Sequence, residues 1–407
     1  MGDLDAVIGQ RLVDVEAQGL LRRLRTVDSP QGETVQSCGK ALRNFSSNDY
    51  LALANHPILK LAMAEGIERY GVGAGASRLI CGNLKPFVDL EETLASFKGT
   101  QAALTFSTGY ATALGTVCAL VGKDDIVILD KLAHASMIDA ARLSRAKLRV
   151  FQHNDMNDLE SMLKWADGER AKSVDTRPNI LVLTETVFSM DGDLAPLRDL
   201  VELKDRYGAW LMVDEAHATG MFGEHRRGLA EAMGVSDRVD IQMGTLGKAL
   251  GVSGGYVAGS RTLVDWLINR ARSFVYSTAP SPAVAFAARA AVEFVASQEG
   301  ERSRQRLWAR VNRLKETIVQ SGWPLGPAMS PILPLGVGNE DRAVELAKTL
   351  LDAGFLIPAI RFPTVPRGEA RLRITMTAGH ELQSIRLLGE ALTSARSPRA
   401  TNNPHPA

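Results

Sequence analysis

The 407-residue chain carries 47 Lys and Arg against 46 Asp and Glu, a formal charge of +1, so nothing in its balance invites nucleic acid or an acidic membrane surface. That length exceeds one ordinary hydrophobic core and predicts two domains. The three cysteines, Cys38, Cys81 and Cys118, lack the paired spacing of a zinc site or a secreted disulfide scaffold; a reducing cytoplasm and no metal are expected.

The opening MGDLDAVIGQRL holds acids and no apolar export core, and the apolar stretch Ala283 to Val295 is interrupted by Arg289, so neither export nor a membrane span is expected. Residues 5–25 have helical periodicity and end on Arg22, Arg23 and Arg25; residues 1–47 read as an N-terminal arm. GVGAGA at Gly71–Ala76 formally fits a dinucleotide turn, but it follows the helix-like AEGIERY, and close backbone packing accounts for it better. From Gln101 to about Gly255, apolar runs alternate with helix-like segments: IVIL, KLRVF, ILVLTE, AWLMVD and IQMGT. Such spacing predicts a mostly parallel sheet covered by helices on both faces, the core of a large domain over 48–295. Ligands of such sheets bind at the carboxyl ends of the strands, here Asp130, Glu185, Asp214 and Thr245.

After a long helical stretch, Ala283 to Gln320, strand-like segments near Ile332, Phe355–Ile360 and Arg371–Thr375 alternate with helices. They predict a smaller C-terminal α/β domain over 296–396, and the Pro- and Asn-rich residues 397–407 read as a disordered tail.

Several strand ends could carry chemistry. Lys248 lies in TLGKALGVSGG, where a Gly-rich turn can leave an amine in a pocket, its pKa lowered and able to form an imine; an ordinary solvated lysine is the competing reading. Asp214 ends AWLMVD and His217 follows in DEAHATG, so the carboxylate could hold a pyridine nitrogen protonated while the imidazole reaches a ring oxygen. A helix cap and a satisfied loop histidine remain the alternatives. The helicase reading of DEAH fails for want of a phosphate-binding loop, since Gly244-Thr-Leu-Gly-Lys248 has the wrong glycine spacing and is followed by Ala249. Ser107-Thr108-Gly109-Tyr110 opens an Ala-rich helix that could take a phosphate dianion on its N–H groups, with help from Thr245 and from Ser277 or Thr278; plain N-capping is the alternative. His134 could stack on a flat ring. Arg361, in AIRFPTVPRG, could grip a carboxylate, or belong with Arg367, Arg371 and Arg373 to a surface patch.

Taken in order, NFSSNDYLAL, FSTGYATA, HAS, ETVFSMDGD, DEAHATG, TLGKALG, YSTA and RFPTVPRGEARLRIT resemble the α-oxoamine synthases, fold-type I enzymes dependent on pyridoxal 5'-phosphate, over about residues 20–395. The resemblance implies that Lys248 bears the cofactor, Asp214 meets its ring nitrogen, His217 its ring hydroxyl and His134 its face. Gly109 and Tyr110 would form the binding turn, Thr245 and, from a second subunit, Thr278 would hold the phosphate, and Glu185 and Ser189 would line the pocket. Asn48 and Arg361 would face the amino acid and Arg22 the acyl end, in a homodimer with sites at its interface. IRFPTVP with ARLRITMTAGHE and DEAHATG are most similar to the biotin-pathway branch, which joins L-alanine to a pimeloyl thioester of coenzyme A or a carrier protein. Siblings using glycine or serine, and an aminotransferase, are the alternatives.

Overall fold

The computed structural model describes residues 3–172, 177–326 and 328–396; the expected tail lies outside the described residues. The strands are β1 (Thr34–Ser37), β2 (Lys40–Asn44), β3 (Ala102–Phe106), β4 (Ile126–Asp130), β5 (Lys147–Phe151), β6 (Ile180–Glu185), β7 (Trp210–Asp214), β8 (Ile241–Thr245), β9 (Gly255–Gly259), β10 (Ile332–Gly338), β11 (Phe355–Leu356), β12 (Ala359–Ile360) and β13 (Ala370–Thr375).

Seven of them form the main sheet in the order β3-β9-β8-β7-β6-β4-β5. The chain belongs to the expected class, a mostly parallel sheet with helices on both faces: β8, β7, β6, β4 and β5 are mutually parallel, and β9 is antiparallel to both its neighbours. Because β3 and β8 both oppose β9, β3 points the same way as the parallel set, and the turn after Phe106 opens on the edge that carries Asp130, Glu185, Asp214 and Thr245.

The apolar runs form buried strands because each face has its own cover. Ile126, Ile128, Val182 and Val213 join one core, packed with Leu159, Leu200 and Ala288, while Val127, Leu129, Leu183 and Met212 join the other, packed with Val117, Met137 and Leu267. KLRVF departs from this pattern: β5 is the sheet edge, and only Phe151 of it is buried.

The N-terminal helix covers Leu4–Ala17 rather than 5–25 and buries none of its residues. Within the expected arm, β1 and β2 form a hairpin that takes β11 as a parallel third strand, so residues 34–44 join the C-terminal part of the chain. The long helix breaks at Ser297, whose hydroxyl accepts from the N–H groups of Glu299 and Gly300 and starts Gln298–Gln320 after Pro282–Ala296 has ended. Beyond it, β10 and β12 flank β13 in an antiparallel sheet. Thr375 at the end of β13 donates its N–H to the Phe45 carbonyl at 2.8 Å, bringing the segment after β2 against the C-terminal sheet.

Candidate active site

Lys248 sits in the turn between β8 and β9, and its Nζ is 2.8 Å from Nε2 of His217. His217 is held by the turn after β7, where the N–H groups of Ala218 and Thr219 both donate to the Glu215 carbonyl. On its other side, Nδ1 lies 2.6 Å from the hydroxyl of the fully buried Tyr50, which also reaches Asn48 Oδ1 at 3.3 Å. Burial lowers the His217 pKa well below its usual value, and the Lys248 and Arg373 cations push the same way, so the ring is neutral. Burial also lowers the pKa of Lys248, partly opposed by the carboxylates of Asp214 and Glu185.

Asp214 and Glu185 are register partners at the ends of β7 and β6. Asp214 is buried and accepts from the Ala216 N–H at 2.8 Å. Glu185 is raised well above the carboxylate range by burial and by its neighbour Asp214, and its Oε1 is buried with no hydrogen-bond partner among the described residues. A buried acidic atom left unpaired beside a second carboxylate is a costly arrangement that a bound polar group would relieve. Glu215, next in the DEAH run, serves the core instead, pairing with the buried Lys98 and accepting from the Ala230 N–H at 2.8 Å.

The phosphate candidates converge at the same edge. Thr108 caps the helix Gly109–Leu120 by accepting from the Ala111 N–H at 3.0 Å, and a Cβ on Gly109 would lie 3.7 Å from Cβ of Thr245. Gly255 permits this approach, since any Cβ there would collide with Thr112 and the Gly109 backbone. A helix N-terminus favours an anion, and Thr245 lies beside this one. Tyr110 is exposed and donates to Asp139 at 2.8 Å.

His134 caps the helix Ala135–Ser144, its Nδ1 accepting from the Ser136 N–H at 3.2 Å, so the ring proton belongs on Nε2. It is close enough to Asp214 and Lys248 to feel both charges. Ser189 is buried and offers its carbonyl to the site. Thr278 is exposed and bridged to Ser77, Arg22 is exposed, and neither makes a hydrogen bond or ion pair with the Lys248 cluster among the described residues.

The guanidinium that does join the cluster is Arg373 of β13. It is 5 % exposed, donates Nε to the Ser189 carbonyl at 2.6 Å and both terminal nitrogens to Asn48 Oδ1 at 3.1 Å, and has no carboxylate partner among the described residues. Arg361, the residue expected to grip a carboxylate, is half-buried after β12 and makes no side-chain hydrogen bond or ion pair among the described residues, whereas Arg373 is held within the cluster. The signal was a charge inside a strand, ARLRIT, whose alternate residues Leu372 and Ile374 are core. Tyr50 carried no comparable signal.

An amine, an imidazole, a buried strand-end carboxylate, a hydroxyl beside a helix N-terminus and a buried arginine without a carboxylate partner among the described residues, gathered at one edge of the sheet, are the chemical types that suit a pyridine aldehyde phosphate and a carboxylate-bearing amine. The family profile of aminotransferase class I and II matches residues 40–392. Curated relatives include the 8-amino-7-oxononanoate synthases of Geobacter sulfurreducens, 48 % identical over 92 % of this chain and 94 % of theirs, and of Herminiimonas arsenicoxydans, 43 % identical over 95 % and 98 %. Among solved structures, a serine palmitoyltransferase from S. paucimobilis with a bound pyridoxal phosphate–myriocin adduct superposes with a TM-score of 0.88 at 27 % identity, covering 97 % of this chain and 98 % of that one. An 8-amino-7-oxononanoate synthase from Francisella tularensis superposes at 0.73 with 26 % identity, covering 87 % and 97 %.

Proposed function

The chain belongs to the aminotransferase class I and II family, and from that premise we propose that it condenses L-alanine with a pimeloyl thioester to give 8-amino-7-oxononanoate, carbon dioxide and a free thiol. The observation that carries this reading is 48 % identity to an enzyme of that name over 374 residues, in a chain whose Lys248 contacts His217 at the sheet edge where Asp214 is buried. In the reaction the α-carbon of alanine bonds to the acyl carbon, the carbon–sulfur bond breaks, and the α-carboxylate leaves as carbon dioxide.

Pyridoxal phosphate, when bound, withdraws electrons from the α-carbon, which makes its proton acidic and stabilises the charge left by decarboxylation. Lys248 would carry it, with Asp214 at the ring nitrogen, His217 at the ring hydroxyl, Glu185 and Ser189 lining the pocket, and Thr245 with the Gly109–Tyr110 turn at the phosphate. Its lowered pKa suits Lys248 to take the α-proton and return one at the end. Arg373 and Asn48 hold the amino-acid carboxylate, a role to which Arg361 is the rival. His134, with its proton on Nε2, donates to the oxyanion that forms when the thioester is attacked. Arg22 faces the acyl end.

A homodimer is part of this reading. The helix Leu4–Ala17 exposes Leu4, Val7, Leu12 and Val13, and Ile80 and Tyr276 are exposed near Thr278, apolar surface that a second subunit would cover while bringing its Thr278 to the phosphate. No helix of the described residues is long and apolar enough to cross a membrane, and a cytoplasmic setting fits the exposed free thiols of Cys38 and Cys81.

The test is the visible absorbance of the protein with pyridoxal phosphate, titrated with L-alanine, glycine and L-serine, followed by thiol and carbon dioxide release on adding pimeloyl-CoA. A Lys248-dependent band perturbed by L-alanine, with thiol release from pimeloyl-CoA, supports the reading; release only with glycine or serine and another acyl-CoA moves the chain to a sibling activity. Amino-group transfer without carbon dioxide would make it an aminotransferase.

A further inference from the structure

One partly buried titratable cluster takes no part in the chemistry above. His153 follows β5, with Nδ1 3.0 Å from Asp130 Oδ1 and Nε2 2.8 Å from Asp193 Oδ2. With a carboxylate on each nitrogen, both must donate and the ring is an imidazolium; burial works against the charge, but the two carboxylates raise the pKa to about 10. Asn154 reinforces the tie, giving its N–H to Asp130 Oδ2 at 3.0 Å and its amide to Asp193 Oδ2 at 3.1 Å and the Leu194 carbonyl at 3.2 Å. Phe188 packs edge-on against the His153 ring, 4.3 Å between centroids.

The segment so held, residues 188–194, leaves β6 and closes on itself, Phe188 donating to the Asp193 carbonyl at 3.1 Å and Gly192 to the Phe188 carbonyl at 2.9 Å. Its other side meets the C-terminal sheet. Gly192, at φ 69°, lies against the Ile332 carbonyl and Ser330 where no Cβ would fit, and its own carbonyl accepts from the Met329 N–H at 3.0 Å. Asp191 pairs with Arg371, and the Ser189 carbonyl takes Nε of Arg373. Asp130 is fixed at the end of a fully buried strand, so the tie through His153 references this segment, and with it β13, to the parallel sheet.

We propose that His153 is a positioning residue that, by joining Asp130 to Asp193, sets the placement of the Arg373 guanidinium and thereby the affinity for the carboxylate of the amino-acid substrate. This rests on the function given above. A guanidinium held by two neutral acceptors keeps its charge for a ligand, but a bidentate grip tolerates little displacement, so loosening its support costs affinity for that ligand first.

The test uses the holoenzyme, with L-alanine binding read from the cofactor absorbance and from steady-state kinetics. His153→Phe keeps a ring against Phe188 and removes both N–H donors; the L-alanine dissociation constant and KM rise about tenfold, while kcat and the thioester KM stay within about twofold. In an Arg373→Lys background the same change adds less than about twofold, because the grip through which it acts is already lost. Asp193→Asn, a milder change that decides the matter should His153→Phe not fold, gives a smaller rise with the same non-additivity. Unmoved L-alanine affinity, effects that multiply in the Arg373→Lys background, or an equal loss of thioester affinity overturns the proposal. A wild-type enzyme blind to L-alanine overturns the functional reading and this inference together, whereas a responsive wild type with unmoved variants overturns the inference alone.

Discussion

Two histidines stand close to the same sheet edge, and their surroundings drive them to opposite charge states. Burial pushes both toward the neutral form. Around His217 the next influences are the cations Lys248 and Arg373, with the Tyr50 phenol as its other partner, and the ring ends well below its usual pKa. Around His153 two carboxylates overturn the burial effect and raise it to about 10. The first arrangement leaves a neutral imidazole in contact with a buried amine, as the proposed proton transfers require. The second spends a fixed charge on holding two segments together, where nothing should move.

The comparison breaks most visibly at Lys248. Lys248→Ala removes the amine at the centre of the first region and should lower kcat/KM for thiol release by about 10^4-fold or more, with a melting temperature near that of wild type. Retained turnover would mean that the chemistry lies elsewhere. Arg373, which touches both regions, comes next: Arg373→Ala should raise the L-alanine KM on the order of 100-fold, whereas Arg361→Ala should change it less than about threefold. The reverse ranking, measured in the same kinetic series, would return the carboxylate grip to Arg361.

A pH series sharpens the contrast between the rings. Since the His153 pKa is raised on folding to about 10, its contribution to stability is complete below its unfolded value and fades as pH rises through about 10. The urea-unfolding free energy of wild type minus that of His153→Phe should therefore be about 2 kcal/mol near pH 6, allowing for partial exposure, and shrink steadily toward pH 10. His217→Phe, removing a ring that is neutral in the fold, should show no such decline over that range. A small effect is also expected at Glu185. Its carboxyl is already held toward the protonated form, so Glu185→Gln should cost less than about fivefold in kcat/KM, while Asp214→Asn costs far more, as steady-state assays of the two variants would reveal.

Much of this was legible in the chain. The apolar runs that form β4, β6, β7 and β8 read as buried parallel strands because residues apolar on both faces need cover on both, and their ends mark Asp130, Glu185, Asp214 and Thr245. The order of short motifs identified the family, and Lys248 and His217 came with them. Less was legible where meaning depends on a partner distant in sequence. The antiparallel β9 and the hairpin at 34–44 are short segments whose pairing only the fold supplies. Arg373 looked like one more surface arginine until its strand placed it against Asn48, 325 residues away. Glu215 sat beside Asp214 in the same motif, yet its partner is Lys98 in the core.

The sequence by itself thus determined the periodicity, the strand ends and the chemical types available at the site, because these follow from local pattern and residue identity. Tertiary structure decided which of four nearby arginines is buried with no carboxylate partner among the described residues, which histidine is charged and which is neutral, and which of two adjacent carboxylates stands at the strand-end edge rather than pairing in the core. Those outcomes turn on electrostatic and desolvation energies that vary with distance and burial, and neither quantity exists until the chain has folded.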